Sequence, residues 1–265
     1  VVNLIVKSIL LGVPKRQKLE KELGVQVPFF FVVSPTMRCN LNCYGCYAGQ
    51  YRKESDMPIE LLDRLFNEAE EMGMNFLTIS GGEPFIRKEH LDLFEKHPDI
   101  AFQIYTNGTL INQEVAKRLA QMGNVYPAIS VEGYEKETDE RRGKGTFKKI
   151  MQAMEALRDE GVLFGFSITA TRHNTELVSS DEFIEFLINK GCAFGWFFTY
   201  VPIGKKPDTS LMPTPEQRLH LRNQVHRIRY EKPIFIGDFW NDGPYVGGCI
   251  AGGRRYFHIN NAGDV

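Results

Sequence analysis

The chain has 265 residues, 43% of them hydrophobic and 25% charged, which is enough apolar material for one large core and excludes a disordered or repeat protein. Lysine and arginine number 32 against 33 acids, so the formal net charge is -1 and no broad nucleic-acid-binding surface is evident. The longest apolar runs fall short of the ~18 residues a membrane helix needs. The 5 cysteines are an odd number with clustered spacing, unlike a secreted disulfide framework, so a cytoplasmic setting with reduced, metal-holding thiols is expected.

Residues 1–28 read as an N-terminal helical extension, with Val2, Ile5, Val6 and Ile9 at helical spacing ahead of the basic PKRQK. The run superficially resembles a signal peptide but lacks a basic leading region and a small-residue cleavage site. An amphipathic helix docked on the domain is the expectation, and weak membrane association through this basic helix is the other reading. Because the chain opens on valine, it is expected to be part of a longer gene product.

From residue 29 onward, β-branched and aromatic runs alternate with segments of helical period. Strands are expected at FFFVVS (29–34), NFLTIS (75–80), IAFQIYT (100–106), VYPAIS (125–130), VLFGFSITA (162–170) and AFGWFFTYV (193–201). The helices between them are marked by Ile59, Leu62 and Phe66; by Leu91 and Phe94; by Val115 and Leu119; by Ile150, Met154 and Leu157; by Phe183, Ile184 and Leu187. A sixth runs through Leu221, Val225 and Ile228. Six strand–helix units predict an α/β fold with predominantly parallel strands: a partial (β/α)6 barrel over 29–236, or a doubly wound sheet, with ligands at the carboxyl ends of the strands. Residues 237–265 form a short glycine-rich C-terminal extension in which RRYFHIN reads as a strand of an interrupted hairpin.

Cys39, Cys43 and Cys46 stand in the stretch RCNLNCYGCYAG with C-x3-C-x2-C spacing, directly after the first strand. A structural zinc site normally has four ligands, and here the fourth would have to be a distant histidine such as His90 or His97. Three thiolates can instead hold three irons of a 4Fe-4S cluster, leaving one iron open to a small molecule. The rival from another class is a zinc-stabilised binding module without catalysis.

This cysteine pattern resembles that of the radical S-adenosylmethionine (radical SAM) enzymes, and further strand-end motifs accompany it. Gly81, Gly82, Glu83 and Pro84 look like the family's GGEP motif, which holds the amino group of SAM. Thr106 and Asn107, in TNG after the third strand, sit where similar enzymes line the cofactor pocket. By resemblance, Ser130 and Glu132 would meet the ribose or methionine part of SAM and Arg142 its carboxylate, with Arg141 as the alternative because this loop is one residue short. Thr169 and Thr171 could face the pocket from the fifth strand. Many members carry an aromatic residue before the third cysteine, beside the adenine; that position is Gly45 here, between Tyr44 and Cys46, and Tyr47 is taken as the substitute.

The resemblance implies reductive cleavage of SAM to methionine and a 5'-deoxyadenosyl radical that abstracts hydrogen from a substrate. A flavodoxin or ferredoxin would supply the electron. The substrate is expected to be a peptide or protein, with a cofactor precursor or lipid as the alternative. Cys249, in the glycine-rich tail, resembles the first ligand of an auxiliary iron-sulfur cluster in a SPASM or twitch extension. The run Trp196, Phe197, Phe198 and Tyr200 is read mainly as core, and Cys192 as a buried hydrophobe.

Overall fold

The computed structural model describes residue 6 and residues 10–51, 55–204 and 206–265. Val2, Ile5 and Ile9 of the expected N-terminal helix lie outside the described residues. The first described helix is α1 (Gly12–Leu23), closed by Gly24 at φ 69°. It docks against the chain: Arg16 is buried, donates to the Gly73 carbonyl, and stands 4.9 Å over the Phe29 ring.

Among the described residues eight strands form one parallel sheet in the order β7-β6-β5-β4-β3-β2-β1-β8. They are β1 (Val32–Val33), β2 (Phe76–Ile79), β3 (Ala101–Thr106), β4 (Val125–Ser130), β5 (Gly165–Ala170), β6 (Phe194–Thr199), β7 (Phe235–Asp238) and β8 (His258–Ile259). The sheet curls into a half-barrel with helices outside. Crossovers run through α2 (Ile59–Met72), α3 (Lys88–Lys96), α4 (Gln113–Met122), α5 (Glu135–Arg142) and α6 (Thr146–Asp159), then α7 (Thr175–Val178), α8 (Asp181–Asn189) and α9 (Pro215–Glu231). A short turn, α10 (Gly243–Val246), precedes β8.

Strand alternation sorts the side chains between two faces. Phe102 of β3 packs on Phe66 of α2 and Phe94 of α3, with centroids 4.9 and 4.7 Å away, so the even positions of β3 face the helices. Ala101, Gln103 and Tyr105 therefore face the barrel lumen, as do their register partners Tyr126 and Ala128. Leu62, Phe66, Leu119, Ile150, Leu187 and Val225, all at the expected helical positions, are buried in the outer core.

Three features depart from the sequence reading. The strand near RRYFHIN is not half of a hairpin: His258 and Ile259 lie parallel to Val32 and Val33 and extend the sheet beyond β1. Strand β7 was not expected, because its four residues FIGD hold a single fully apolar pair. Helix α5 was read as a charged loop, since EKETDERR buries only Thr138 and so carries no apolar period.

Candidate functional site

The carboxyl ends of β1 to β5 gather the residues singled out above. The loop after β1 is closed at its neck, where Met57 N–H donates to the Pro35 carbonyl (2.8 Å) and Asp56 accepts from Thr36 (2.5 Å) and pairs with Arg38. Between these points Cys39, Cys43 and Cys46 are half-buried and outside any disulfide. Cys39 Sγ accepts from Leu41 N–H (3.5 Å) and the Asn107 amide (3.7 Å). Burial pushes the Cys43 thiol up, and the nearby Arg142 and Arg141 guanidinium groups work against that shift. Among the described residues no three His, Cys, Asp or Glu side chains converge on one metal ion. A cubane cluster does not require convergence, because each thiolate takes a separate iron. His97 is bound to Asp63 (2.8 Å) on α2, and His90 to the Pro84 carbonyl (2.9 Å).

The second strand end shows why two glycines stand there. Gly81 has φ 102°, and a Cβ on it would lie 2.5 Å from the Thr36 carbonyl oxygen; one on Gly82 would collide with the Arg38 carbonyl. Gly82 N–H donates to Thr36 and Glu83 N–H to Arg38, both at 2.8 Å, so the glycines admit the cysteine loop itself. Glu83 is fully buried and faces the third strand end: it accepts from Thr106 Oγ1 (2.8 Å), Asn107 N–H (2.7 Å) and Phe85 N–H (3.1 Å). Burial raises its pKa to about 6 against the opposing pull of these donors. Asn107 Nδ2 in turn donates to Asn40 Oδ1 (2.8 Å), so Glu83, Thr106 and Asn107 tie GGEP and TNG to the first cysteine. Pro84 is buried at the start of a short turn.

At the fourth strand end Ser130 is half-exposed toward the lumen, while Glu132 is buried. Glu132 Oε1 takes both Arg141 and Arg142 from α5, the latter through Nε at 2.9 Å and also through Nη2. Its Oε2 is buried with no hydrogen-bond partner among the described residues. Burial acts to lower the Arg142 pKa, but Glu132 and Cys43 outweigh it and the net shift is upward. Tyr44 N–H donates to the Arg141 carbonyl (2.8 Å), which docks the cysteine loop on the end of α5. Both arginines thus meet at Glu132, and the choice the sequence posed between them does not arise at that carboxylate.

Thr169 is half-exposed at the end of β5. Thr171 is buried and bound to Asn174 Oδ1 through its N–H (2.7 Å) and hydroxyl (2.9 Å), a structural tie rather than a pocket position. Tyr47 leans toward β2, its hydroxyl 3.0 Å from Ser80 Oγ. Gly45 adopts φ 66°, and a Cβ there would lie 2.9 Å from Tyr200 Cε2, so the ring ending β6 fills the space beside it. Cys249 is exposed and free, and its carbonyl accepts from Arg254 (2.8 Å). Cys192 is buried and its thiol is pushed up to about 12, as a core thiol should be. The sequence reading passed over Gln103 and Tyr105 in the lumen; their alternation with Phe102 and Ile104 was the available signal.

Three thiols outside any disulfide on one rim loop, with paired cations beside them and an orphaned acceptor on Glu132, fit a cluster and a polar cofactor at this rim. The model of the radical SAM superfamily matches residues 33–187, more than half of the chain. An Fe-coproporphyrin III synthase of Methanosarcina barkeri is 28% identical over 224 residues, 80% of this chain and 56% of that protein. The mycofactocin maturase MftC of Mycobacterium ulcerans is 30% identical over 264 residues, 92% of this chain and 69% of that protein. The chain thus spans 56% to 69% of the length of the coproporphyrin synthase and of the MftC maturases it matches. In fold it resembles Streptococcus suis SuiB bound to S-adenosylmethionine, with TM-score 0.73 and 18% identity over 95% of this chain and 62% of that one. It also resembles anSMEcpe with bound AdoMet and the Kp18Cys peptide, with TM-score 0.65 and 20% identity over 81% of this chain and 64% of that one. By its matching superfamily model and its maturase relatives, the chain belongs to the radical SAM superfamily, whose enzymes use a 4Fe-4S cluster and S-adenosylmethionine.

Proposed function

We propose that the chain holds a 4Fe-4S cluster through Cys39, Cys43 and Cys46 and uses SAM at this rim to abstract hydrogen from a peptide or protein substrate. The observation that carries this reading is the hydrogen-bonded continuity of the rim, from Cys39 through Asn107 to Glu83 and from Tyr44 through Arg141 to Glu132. When bound, the cluster and SAM supply a one-electron cleavage that yields a carbon radical able to take hydrogen from an unactivated C–H bond.

The chain's own residues orient and insulate. Arg142 gives Nε and Nη2 to Glu132, which leaves Nη1 to meet the carboxylate of SAM. Glu132 Oε2, buried without a partner, is an acceptor for a ribose hydroxyl, and Ser130 stands beside it at the same strand end. Backbone groups of Gly81 and Gly82 line the amino-group end, with Glu83 fixing their position through Thr106 and Asn107. Thr169 and Tyr47 border the same opening. The low-potential reductant would be a flavodoxin or ferredoxin. A cofactor precursor or lipid substrate is the second reading, favoured by the similarity to the coproporphyrin synthase.

We also read residues 237–265 as the start of an auxiliary-cluster extension with the exposed Cys249 as its first ligand. Iron counting on the full-length protein tests this, since about four irons per chain would leave no room for a second 4Fe-4S cluster. The main reading is tested by anaerobic reconstitution and assay for 5'-deoxyadenosine from SAM. Activity is expected in the wild type and lost in Cys43→Ala with the far-ultraviolet circular dichroism preserved. A colourless, zinc-containing protein that leaves SAM intact would overturn it.

A further inference from the structure

The lumen beneath the rim has a chemistry of its own. Trp196 Nε1 donates to Gln103 Oε1 (3.2 Å), and Gln103 Nε2 donates to Tyr105 Oη (2.9 Å), so a hydrogen-bonded chain links β6 to β3. Above β4 and β5, Tyr105 and Phe198 meet edge to face, with centroids 5.5 Å apart and planes at 79°. They can meet there because the intervening lumen positions in register with Tyr105 are Ala128 and Gly165. Gly237 likewise clears space for the indole: a Cβ there would lie 2.5 Å from Trp196 Cζ3. Phe239 continues the layer, 5.4 Å from Phe198.

The result is a floor of rings across the half-barrel. Tyr105, Trp196 and Phe198 are each half-exposed, so the floor keeps a surface open toward the rim. Phe197, by contrast, turns outward onto Phe166 and is fully buried. Hydroxyls of Ser130, Ser167 and Thr169 border the floor on β4 and β5, each half-exposed. Among the described residues, none of the lumen-facing positions of β2 to β6 is charged. Tyr105 accepts from Gln103 while its own proton has no acceptor among the described residues, which leaves its hydroxyl able to donate to an incoming group.

We infer that this floor is a subsite for an uncharged aromatic side chain presented by a peptide, its ring resting on Trp196 and Phe198 and its polar edge accepting from Tyr105. The inference rests on the peptide reading above and narrows it to aromatic residues. Ring-on-ring contact favours a flat apolar occupant, and a polar edge such as a phenol oxygen uses the Tyr105 donor. A carboxylate-bearing tetrapyrrole or a lysine side chain would bring charge to a wall that has no counter-charge.

Titration calorimetry on the reconstituted protein saturated with S-adenosylhomocysteine tests this, with N-acetyltyrosinamide, N-acetyllysinamide and coproporphyrin as probes. Binding of S-adenosylhomocysteine is measured first and reports on the cofactor reading separately. N-acetyltyrosinamide is expected to bind saturably and to shift Trp196 emission in a Trp240→Phe background, while the lysine amide does neither. Tyr105→Phe, which keeps the ring packing, should weaken the tyrosine amide about three- to tenfold, the worth of one net hydrogen bond. Trp196→Leu should weaken it further. Equal binding of both amides, unchanged affinity in Tyr105→Phe and Trp196→Leu, or coproporphyrin binding that depends on Trp196 would each overturn the inference.

Discussion

Glu83 offers the sharpest physical test of how the rim is assembled. Its folded-state pKa of about 6 lies above the ordinary 4.5 because burial penalises the charge more than its three donors favour it. The folded protein therefore binds this proton more tightly than the unfolded chain. The associated stability is fully present below about pH 4.5 and is lost as pH rises to about 6, by roughly 2 kcal/mol at 1.36 kcal/mol per unit. Glu83→Gln cannot titrate, so the difference in unfolding free energy between wild type and variant should shrink by about 2 kcal/mol between pH 4.5 and 7. The variant also has a fixed cost. A glutamine presents its amide nitrogen either to Asn107 N–H or to the Thr106 and Phe85 donors, leaving a buried donor unpaired at about 1–3 kcal/mol. Urea denaturation of the cluster-free proteins across this pH range measures both quantities. Comparing the two proteins cancels other acids such as Asp63, whose carboxyl is held below its usual range by Lys96 and His97 and which acts in the opposite direction. Parallel curves, or a wild type that gains on the variant as pH rises, would refute the assignment.

Gly82→Ala should lift the cysteine loop off the GGEP turn, since its Cβ collides with backbone at Arg38, costing about 1–3 kcal/mol in melting and lowering iron retention on reconstitution. Arg142→Lys keeps the charge but loses the fork on Glu132; SAM affinity should fall about tenfold by equilibrium dialysis, with little change in melting temperature. Asn174→Ala removes the clamp joining Thr171, the Thr169 carbonyl and the Glu132 carbonyl, and chemical denaturation should show a loss of about 2–3 kcal/mol.

Much of this molecule was legible in the chain because the signals are local. Strands rich in β-branched and aromatic residues alternate with amphipathic helices, and the period alone separates them: Phe66, Leu119, Ile150 and Leu187 are buried as their spacing required. The cysteines, GGEP and TNG likewise declare themselves, since each motif is contiguous and follows a strand. Helix α5 did not, because eight residues with one buried threonine have no apolar stripe to read. Strand β8 was visible as a strand, but its partner was not, since pairing with β1 joins residues more than 220 positions apart.

Side-chain direction is what only the tertiary structure decided. The sequence could place Glu83, Glu132 and the arginines at strand ends but not say that Glu83 turns to Thr106 and Asn107, or that both arginines close on one carboxylate oxygen. Those outcomes depend on how far each strand end is carried round the curl of the sheet, which no single segment encodes. Strand alternation puts Trp196 and Phe198 on one face and Phe197 on the other, while the curl makes the first face the lumen and brings that pair over Ala128 and Gly165 to Tyr105. A run that reads as undifferentiated core in one dimension thereby becomes half wall and half floor in three.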